Sequence, residues 1–252
     1  MTRSYRGIAP LGVVAFVLGA WWVAAAPSPI FPTPPEVVNG ILELASQGTL
    51  ALHVVASLYR VTLGYGLALA LAIPLGSLMG WYGGAFQAFN PMIQLLRPIS
   101  PIAWIPLAIL WFGVGDASPT FLIFLSSFFP IVVATTAGVH QVERQYVWAA
   151  QNFGVGGLRL FRTVIFPAAL PQIITGMRVG LGVAWLVVVA AEMVAINSGL
   201  GYLIIDARNA GSRYDLVVAG MVLIGVIGFL LDLLMRRLES LDGVRWRYHN
   251  AR

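Results

Sequence analysis

Charged and polar side chains stand inside or beside long apolar stretches of this sequence. Glu192 lies in the run WLVVVAAEMVAI, and Arg97 opens the proline-rich run RPISPIAWIP, which also holds Ser100 and Trp104. A charge at the centre of a membrane costs about 2.5–3.5 kcal/mol, so it commonly faces a water-filled cavity or a partner charge. We therefore predict that Arg97, Ser100, Trp104 and Glu192 line a path for a solute.

Structural roles compete with this prediction. Glu192 could instead lie near the membrane interface and pair with an arginine such as Arg208. Arg60, in ASLYRVTLGYG, is predicted to be structural, either snorkelling or capping near the outer surface or pairing with Glu43. Three prolines follow Arg97 and break a helix, which is tolerated at membrane depth where the break faces protein or water. A kinked helix without solute contact is the alternative there.

Catalytic and metal-binding patterns are missing from the sequence. There are no cysteines, and the three histidines, His53, His140 and His249, are far apart in the chain. Neither a zinc-protease motif, a nucleophile elbow nor a phosphate-binding loop occurs. We predict a protein that is not an enzyme and has no cofactor of its own, so any energy from ATP must come from another chain.

The composition indicates that lipid surrounds much of the chain. Of 252 residues, 59% are hydrophobic and 10% are charged, whereas a soluble domain is about a quarter charged. All 15 basic residues are arginine and are thinly spread, which argues against nucleic-acid binding. We predict an all-α polytopic membrane protein with about six spans of roughly 20 residues each.

Proline-rich and basic segments divide the chain. We expect an N-terminal span and proline-rich loop over 1–48, a core over 49–237 and a basic tail over 238–252. The N-terminus resembles a signal peptide, but its apolar run is long, so we predict an uncleaved first span. Residues 36–47 suit a short amphipathic helix. The predicted spans are 8–26, 52–80, 86–111, 118–139, 171–196 and 216–235.

The distribution of arginine predicts the orientation. With the N-terminus inside, the cytoplasmic segments hold ten arginines and the outside loops hold two. Cytoplasmic loops carry the excess of basic residues in membrane proteins. We predict a multi-pass membrane protein with both termini in the cytoplasm.

The segment WAAQNFGVGGLRLFRTVIFP, residues 148–167, interrupts two apolar stretches within the predicted cytoplasmic loop 140–168. Apolar residues on either side of the glycines have helical spacing, which predicts a helix, a turn and a helix. An apolar patch on a cytoplasmic surface commonly marks a partner site. An amphipathic connector resting on lipid head groups is the alternative.

This segment resembles the signature loop of bacterial ABC importer permeases, whose pattern is Glu-Ala-Ala, three residues, Gly, nine residues, Ile-x-Leu-Pro. Ala149, Ala150, Gly154 and Pro167 match that spacing, while Trp148 replaces the glutamate. The runs RPISPIAWIPLAILWFGVGDAS, PAALPQIITGMRVGLGVAWLVVVAAEM and GLGYLI resemble the branch that imports nitrate, aliphatic sulfonates, taurine or bicarbonate. They do not choose among those solutes.

The resemblance implies a type I importer permease in the bacterial inner membrane. Its implied partners are a second copy of the chain, two cytoplasmic ATPase subunits that bind ATP and Mg²⁺, and an extracytoplasmic solute-binding protein. The loop would be a coupling helix seated in the ATPase, with Gly154 allowing the turn and Pro167 ending the helix before the fifth span. The implied docking residues are Trp148, Ala149, Ala150, Phe153, Gly154, Leu158, Phe161 and Pro167.

Two other functions remain open at the level of sequence. An autonomous secondary transporter or channel would need no apolar cytoplasmic patch and would carry solute without ATP. A membrane scaffold protein would show no solute flux.

Overall fold

A computed structural model describes residues 5–28 and 30–239. Within these ranges the chain is helical, without a strand. A 3-10 turn, Pro101–Trp104, and a π-helical turn, Phe161–Ile165, supplement the α-helices. The α-helices are α1 (Tyr5–Ala25), α2 (Pro34–Ser46), α3 (Thr49–Trp81), α4 (Gly83–Leu96), α5 (Ile105–Phe112), α6 (Ala117–His140), α7 (Arg144–Asn152), α8 (Gly157–Leu160), α9 (Phe166–Ala195), α10 (Leu200–Asn209) and α11 (Tyr214–Glu239).

Four stretches of the described chain are long and apolar enough to cross a membrane: α3, α6, the continuous run Gly157–Ala195, and Tyr214–Arg237 of α11. A fifth is formed by α4 with Pro101–Phe112 if that bent pair counts as one span. The predicted first span coincides with α1, whose stretch Gly12–Ala25 is apolar but shorter than a span. The helical, polytopic fold class is thus confirmed.

Helix α6 lies at the centre of the bundle, between α3 and α9. On α3, a Cβ atom added to Gly76 or Gly80 would lie 2.7 or 2.6 Å from a Cβ atom of α6. On α9, Gly176 contacts Ala134 of α6 in the same way, and Gly180 faces Ile131. The small residues spaced four apart therefore allow close helix packing.

The third predicted span is broken, as its prolines indicated. Helix α4 ends at Leu96, and the chain turns by 85° before it continues through Pro101–Phe112. Pro101 and Pro106 lie in the first turns of the 3-10 turn and of α5. The N–H that proline lacks would have no partner within the helix at these positions.

The amphipathic helix predicted over 36–47 is α2, and the N–H of Thr33 donates to the Glu36 carboxylate at 2.7 Å just before it. Glu43 pairs with Arg213 at 2.6 Å. The predicted alternative in which Arg60 pairs with Glu43 is therefore wrong. The Arg213 guanidinium donates hydrogen bonds to Glu43 and holds the pKa of its carboxyl below the usual value. Of the predicted basic tail 238–252, all but the first two residues lie outside the described ranges.

Candidate functional site

The signature segment folds into a helical hairpin made of α7, a turn at 153–156 and α8. Gly154 has φ +75° and Gly157 has φ +54°, a backbone conformation that favours glycine. The N–H groups of Phe153, Gly154 and Val155 bond back to carbonyls of α7, which closes the turn. The predicted helix–turn–helix and the predicted turn at Gly154 are both confirmed. We call residues 144–165 the hairpin.

The tip and the α7 side of the hairpin present large apolar side chains to solvent. Phe153 is 88% exposed and Trp148 is 59% exposed. Ala149 and Gly154 are also exposed, and Ala150 is half-buried. The tip is thus an exposed apolar patch at the end of the bundle.

Other side chains of the hairpin anchor it to the bundle. Phe161 packs edge-on against Trp81 at the end of α3, with ring centroids 5.6 Å apart. Leu160 and Ile165 are buried. Leu158 is 64% exposed, but it faces a groove beside α3. Of the expected docking residues, Phe161 therefore lies on the inner side of the hairpin and Leu158 lies between its two sides.

Pro167 does not end a helix, which corrects the prediction made from its position. The helix runs on from Gly157 through the π turn Phe161–Ile165 into α9. Pro167 stands in the first turn of α9. Proline has no N–H to donate to a carbonyl of the preceding turn. The wider π turn just before Pro167 accommodates the missing hydrogen bond, so the helix continues.

The residues predicted to line a path divide into two groups. Arg97 and Ser100 lie in the break between α4 and α5 and are exposed in this single chain. Trp104 is half-buried beside them, and its indole Nε1 has no hydrogen-bond partner among the described residues. These three lie close together along the chain at the break. Glu192 lies elsewhere, in a separate buried cluster.

Glu192 is fully buried, and its partner is Arg60 rather than Arg208. The Arg60 guanidinium donates to Glu192 at 2.7 Å and to Asp116 at 2.7 Å. Arg60 is 2% exposed and Glu192 is 0% exposed, whereas Asp116 is 58% exposed. The cluster ties α3, the start of α6 and the end of α9 together at the end of the bundle opposite the hairpin.

The start of α10 is capped by side chains from other helices. The Glu192 carboxylate accepts from the N–H of Gly201 at 3.0 Å, and the Ser57 hydroxyl accepts from the N–H of Leu200 at 2.9 Å. The N–H of Gly199 donates to His53 at 3.1 Å. The first N–H groups of a helix have no partner within it and carry partial positive charge, so the carboxylate and hydroxyl stabilise this end.

Glycine is required where α10 approaches Glu192. Gly199 has φ +104°, and a Cβ atom there would collide with the Glu192 carboxylate. A Cβ atom at Gly201 would collide with the carbonyl of Val189. The sequence run GLGYLI therefore encodes a close approach of backbone to a buried carboxylate.

Sequence reasoning missed the Arg60–Glu192 pair, although a signal for it was present. Charges in apolar spans pair with one another, and five charges fall in the predicted spans. Two of them form the Arg60–Glu192 pair, and two more form the pair of Arg178 with Asp232, at 2.7 Å. Matching charges between spans would have found both pairs.

No group of three or more His, Cys, Asp or Glu side chains that could hold a metal occurs within the described part of the chain.

The hairpin lies within a region that this chain shares with a known protein family. The sequence profile of the family described as "binding-protein-dependent transport system inner membrane component" matches residues 72–241, which include the hairpin and Glu192. The chain belongs to this family. It is therefore a transport permease component.

Two curated relatives are similar to the permease over most of its length. The taurine transport system permease protein of Escherichia coli K12 is 39% identical over 240 residues, which cover 91% of this chain and 86% of the relative. The nitrate import permease protein of Synechocystis is 35% identical over 250 residues, covering 94% and 90%.

A solved structure shares the fold of the permease. A chain of the MetNI methionine ABC transporter in an inward-facing conformation matches with a TM-score of 0.66 and 16% identity. The match covers 77% of this chain and 96% of that chain. The permease has the type I ABC importer fold that the sequence predicted.

Proposed function

We propose that the permease forms the translocation path of an ATP-driven importer for a small anion and couples to cytoplasmic ATPase subunits through the hairpin. The observation that carries this proposal is the exposed apolar tip, with Phe153 88% exposed beside a glycine turn. Trp148, Ala149, Ala150 and Gly154 complete the docking surface, which an ATPase subunit would cover.

The solute we propose is a sulfonate such as taurine, or nitrate or bicarbonate. Support comes from the relatives whose names specify taurine and nitrate import. These solutes share a compact group of oxygens that carries negative charge. Arg97 and Ser100, exposed at the break between α4 and α5, and the unpaired Nε1 of Trp104 offer a positive charge and hydrogen-bond donors to such a group.

A second copy of the chain is the partner we propose at the broken span. Non-helical backbone at membrane depth is tolerated only where protein or a water-filled cavity covers it. In a single chain the turn at 97–100 is exposed. A homodimer would cover it and place two copies of Arg97 around one path.

The remaining partners and the orientation follow from the same proposal. Two ATPase subunits would supply ATP and Mg²⁺, and a solute-binding protein would deliver the solute on the extracytoplasmic side. The hairpin and both termini would lie in the cytoplasm, with the core 49–237 spanning the inner membrane. The excess of arginine on that side supports this arrangement.

Replacement of Gly154 tests the docking role. We expect Gly154→Glu to lower co-purification of the ATPase by at least about tenfold, because φ +75° strains a side chain and a charge enters the apolar tip. Gly84→Glu is the control, since Gly84 is exposed in open space near the start of α4. Equal co-purification of the two variants would refute docking at the hairpin.

Transport in proteoliposomes tests the function itself. We expect uptake of labelled taurine or nitrate only when permease, ATPase, binding protein and ATP are all present. Uptake without ATP would favour a secondary transporter or channel instead.

A further inference from the structure

A groove of about 400 Å³ lies between the end of α3 and the inner side of the hairpin. On α3 it is lined by Ile73, Leu78 and Trp81, and on the hairpin side by Leu158, Phe161 and Phe166. All of these side chains are apolar or aromatic. The groove is open on one side, so an elongated apolar group can enter it from the surroundings of the bundle.

One polar atom in the wall of this groove lacks a partner. Ser77 is 8% exposed, and its hydroxyl has no hydrogen-bond partner among the described residues. This oxygen is closed off from solvent, so it adds no polar surface to the groove. The occupant should therefore be apolar over the length that the groove covers.

The position of the groove and the charges around it define the rest of that occupant. Helix α3 ends at Trp81, followed by the exposed Tyr82, and Trp and Tyr collect at the level of lipid head groups. Arg159 and Arg162 are exposed on the turns that carry Leu158 and Phe161. Arg162 follows Leu158 by four residues, so the two lie on one side of the helix.

From these observations we propose that the groove binds one acyl chain of an anionic phospholipid. The chain occupies the apolar groove, and the head group faces Arg159 and Arg162. This lipid would join the end of α3 to the hairpin and so hold the hairpin against the bundle. The proposal concerns the permease alone and does not depend on the ATPase or on the solute.

Native mass spectrometry of the purified permease, incubated with phosphatidylglycerol and phosphatidylcholine, tests this site. We expect retained phosphatidylglycerol on the unmodified chain. Ser77→Leu fills the groove and should lower retention by about tenfold. Gly66→Leu adds the same side chain to an open position on α3 and should retain lipid normally.

Two further variants keep the test informative if Ser77→Leu does not fold. Leu158→Glu places a negative charge at the exposed mouth of the groove and should also release the lipid. Arg162→Gln should lower the preference for phosphatidylglycerol over phosphatidylcholine by about fivefold, whereas Arg144→Gln, on α7, should not. Unchanged retention in Leu158→Glu, or the same loss of preference in both arginine variants, would overturn the proposal.

Discussion

Arg60 and Glu192 illustrate how a pair of charges is held in an apolar bundle. Each is almost completely buried, and the carboxylate accepts from Arg60, Ser57 and the backbone of α10. A buried pair adds little net stability, but removing one member leaves an uncompensated charge. This arrangement favours a helix-positioning role for Glu192, and its predicted place along a solute path stays a prediction.

Substitution of Arg60 or Glu192 distinguishes a role for Glu192 in positioning helices from a role in the solute path. We expect Arg60→Met to lower the free energy of unfolding by about 3–5 kcal/mol, because Glu192 is left buried without its partner. The double variant Arg60→Met with Glu192→Gln should recover part of that loss. Denaturant titration in detergent measures both. A Glu192→Gln variant that is normally stable but does not transport would instead support the prediction that Glu192 lines the solute path.

Gly199 provides a second prediction at the scale of one residue. We expect Gly199→Ala to destabilise the permease by about 2 kcal/mol more than Gly211→Ala, because its Cβ atom would push the Glu192 carboxylate aside. Gly211 also has positive φ, +132°, but faces open space, so it controls for backbone strain. Similar midpoints of thermal unfolding for the two variants would contradict this account.

At the scale of helices, the sequence specified some features and not others. The hairpin was predictable because Gly154 and Gly157 punctuate an apolar pattern of helical spacing, and the break after Leu96 was predictable because prolines cannot continue a helix. The π turn before Pro167 was not predictable from the sequence, because it depends on which carbonyl each backbone N–H bonds to. The partner of Glu192 lies 132 residues away, so the pairing emerges only when α3 packs against α9.

The contact between α3 and α6 can be tested with glycines of one helix. We expect Gly76→Leu to destabilise the permease by about 1–3 kcal/mol, because the side chain would collide with Thr135 and the backbone of Val132. Gly66→Leu should have little effect, since that position of α3 faces open space. The yield of folded protein and its thermal unfolding midpoint measure the difference, and equal losses would argue against close packing.

At the scale of the whole molecule, the structure has two distinct ends. The hairpin lies at one end of the bundle, and the Arg60–Glu192 cluster with α10 lies at the other. The proposed function places the first in the cytoplasm and the second on the extracytoplasmic side. The exposed broken span between them is where we expect the second copy.

The absence of cysteine makes this arrangement directly testable. We expect Asn209→Cys, at the exposed end of α10, to react with a membrane-impermeant maleimide in intact cells. Phe153→Cys should react only after the membrane is permeabilised, because the hairpin is predicted to be cytoplasmic. The opposite pattern would reverse the orientation, and labelling of both in intact cells would rule out opposite ends.

The glycine contacts on both sides of α6 also have a mechanical consequence. Backbones in direct contact leave no soft side chains to compress, so α3, α6 and α9 should tilt together as one stiff body. Helix α9 is about 45 Å long, so a tilt of about 5° started at the hairpin would move its far end by about 4 Å. The buried cluster sits at that far end, and it would therefore travel the farthest while its own hydrogen bonds stayed intact.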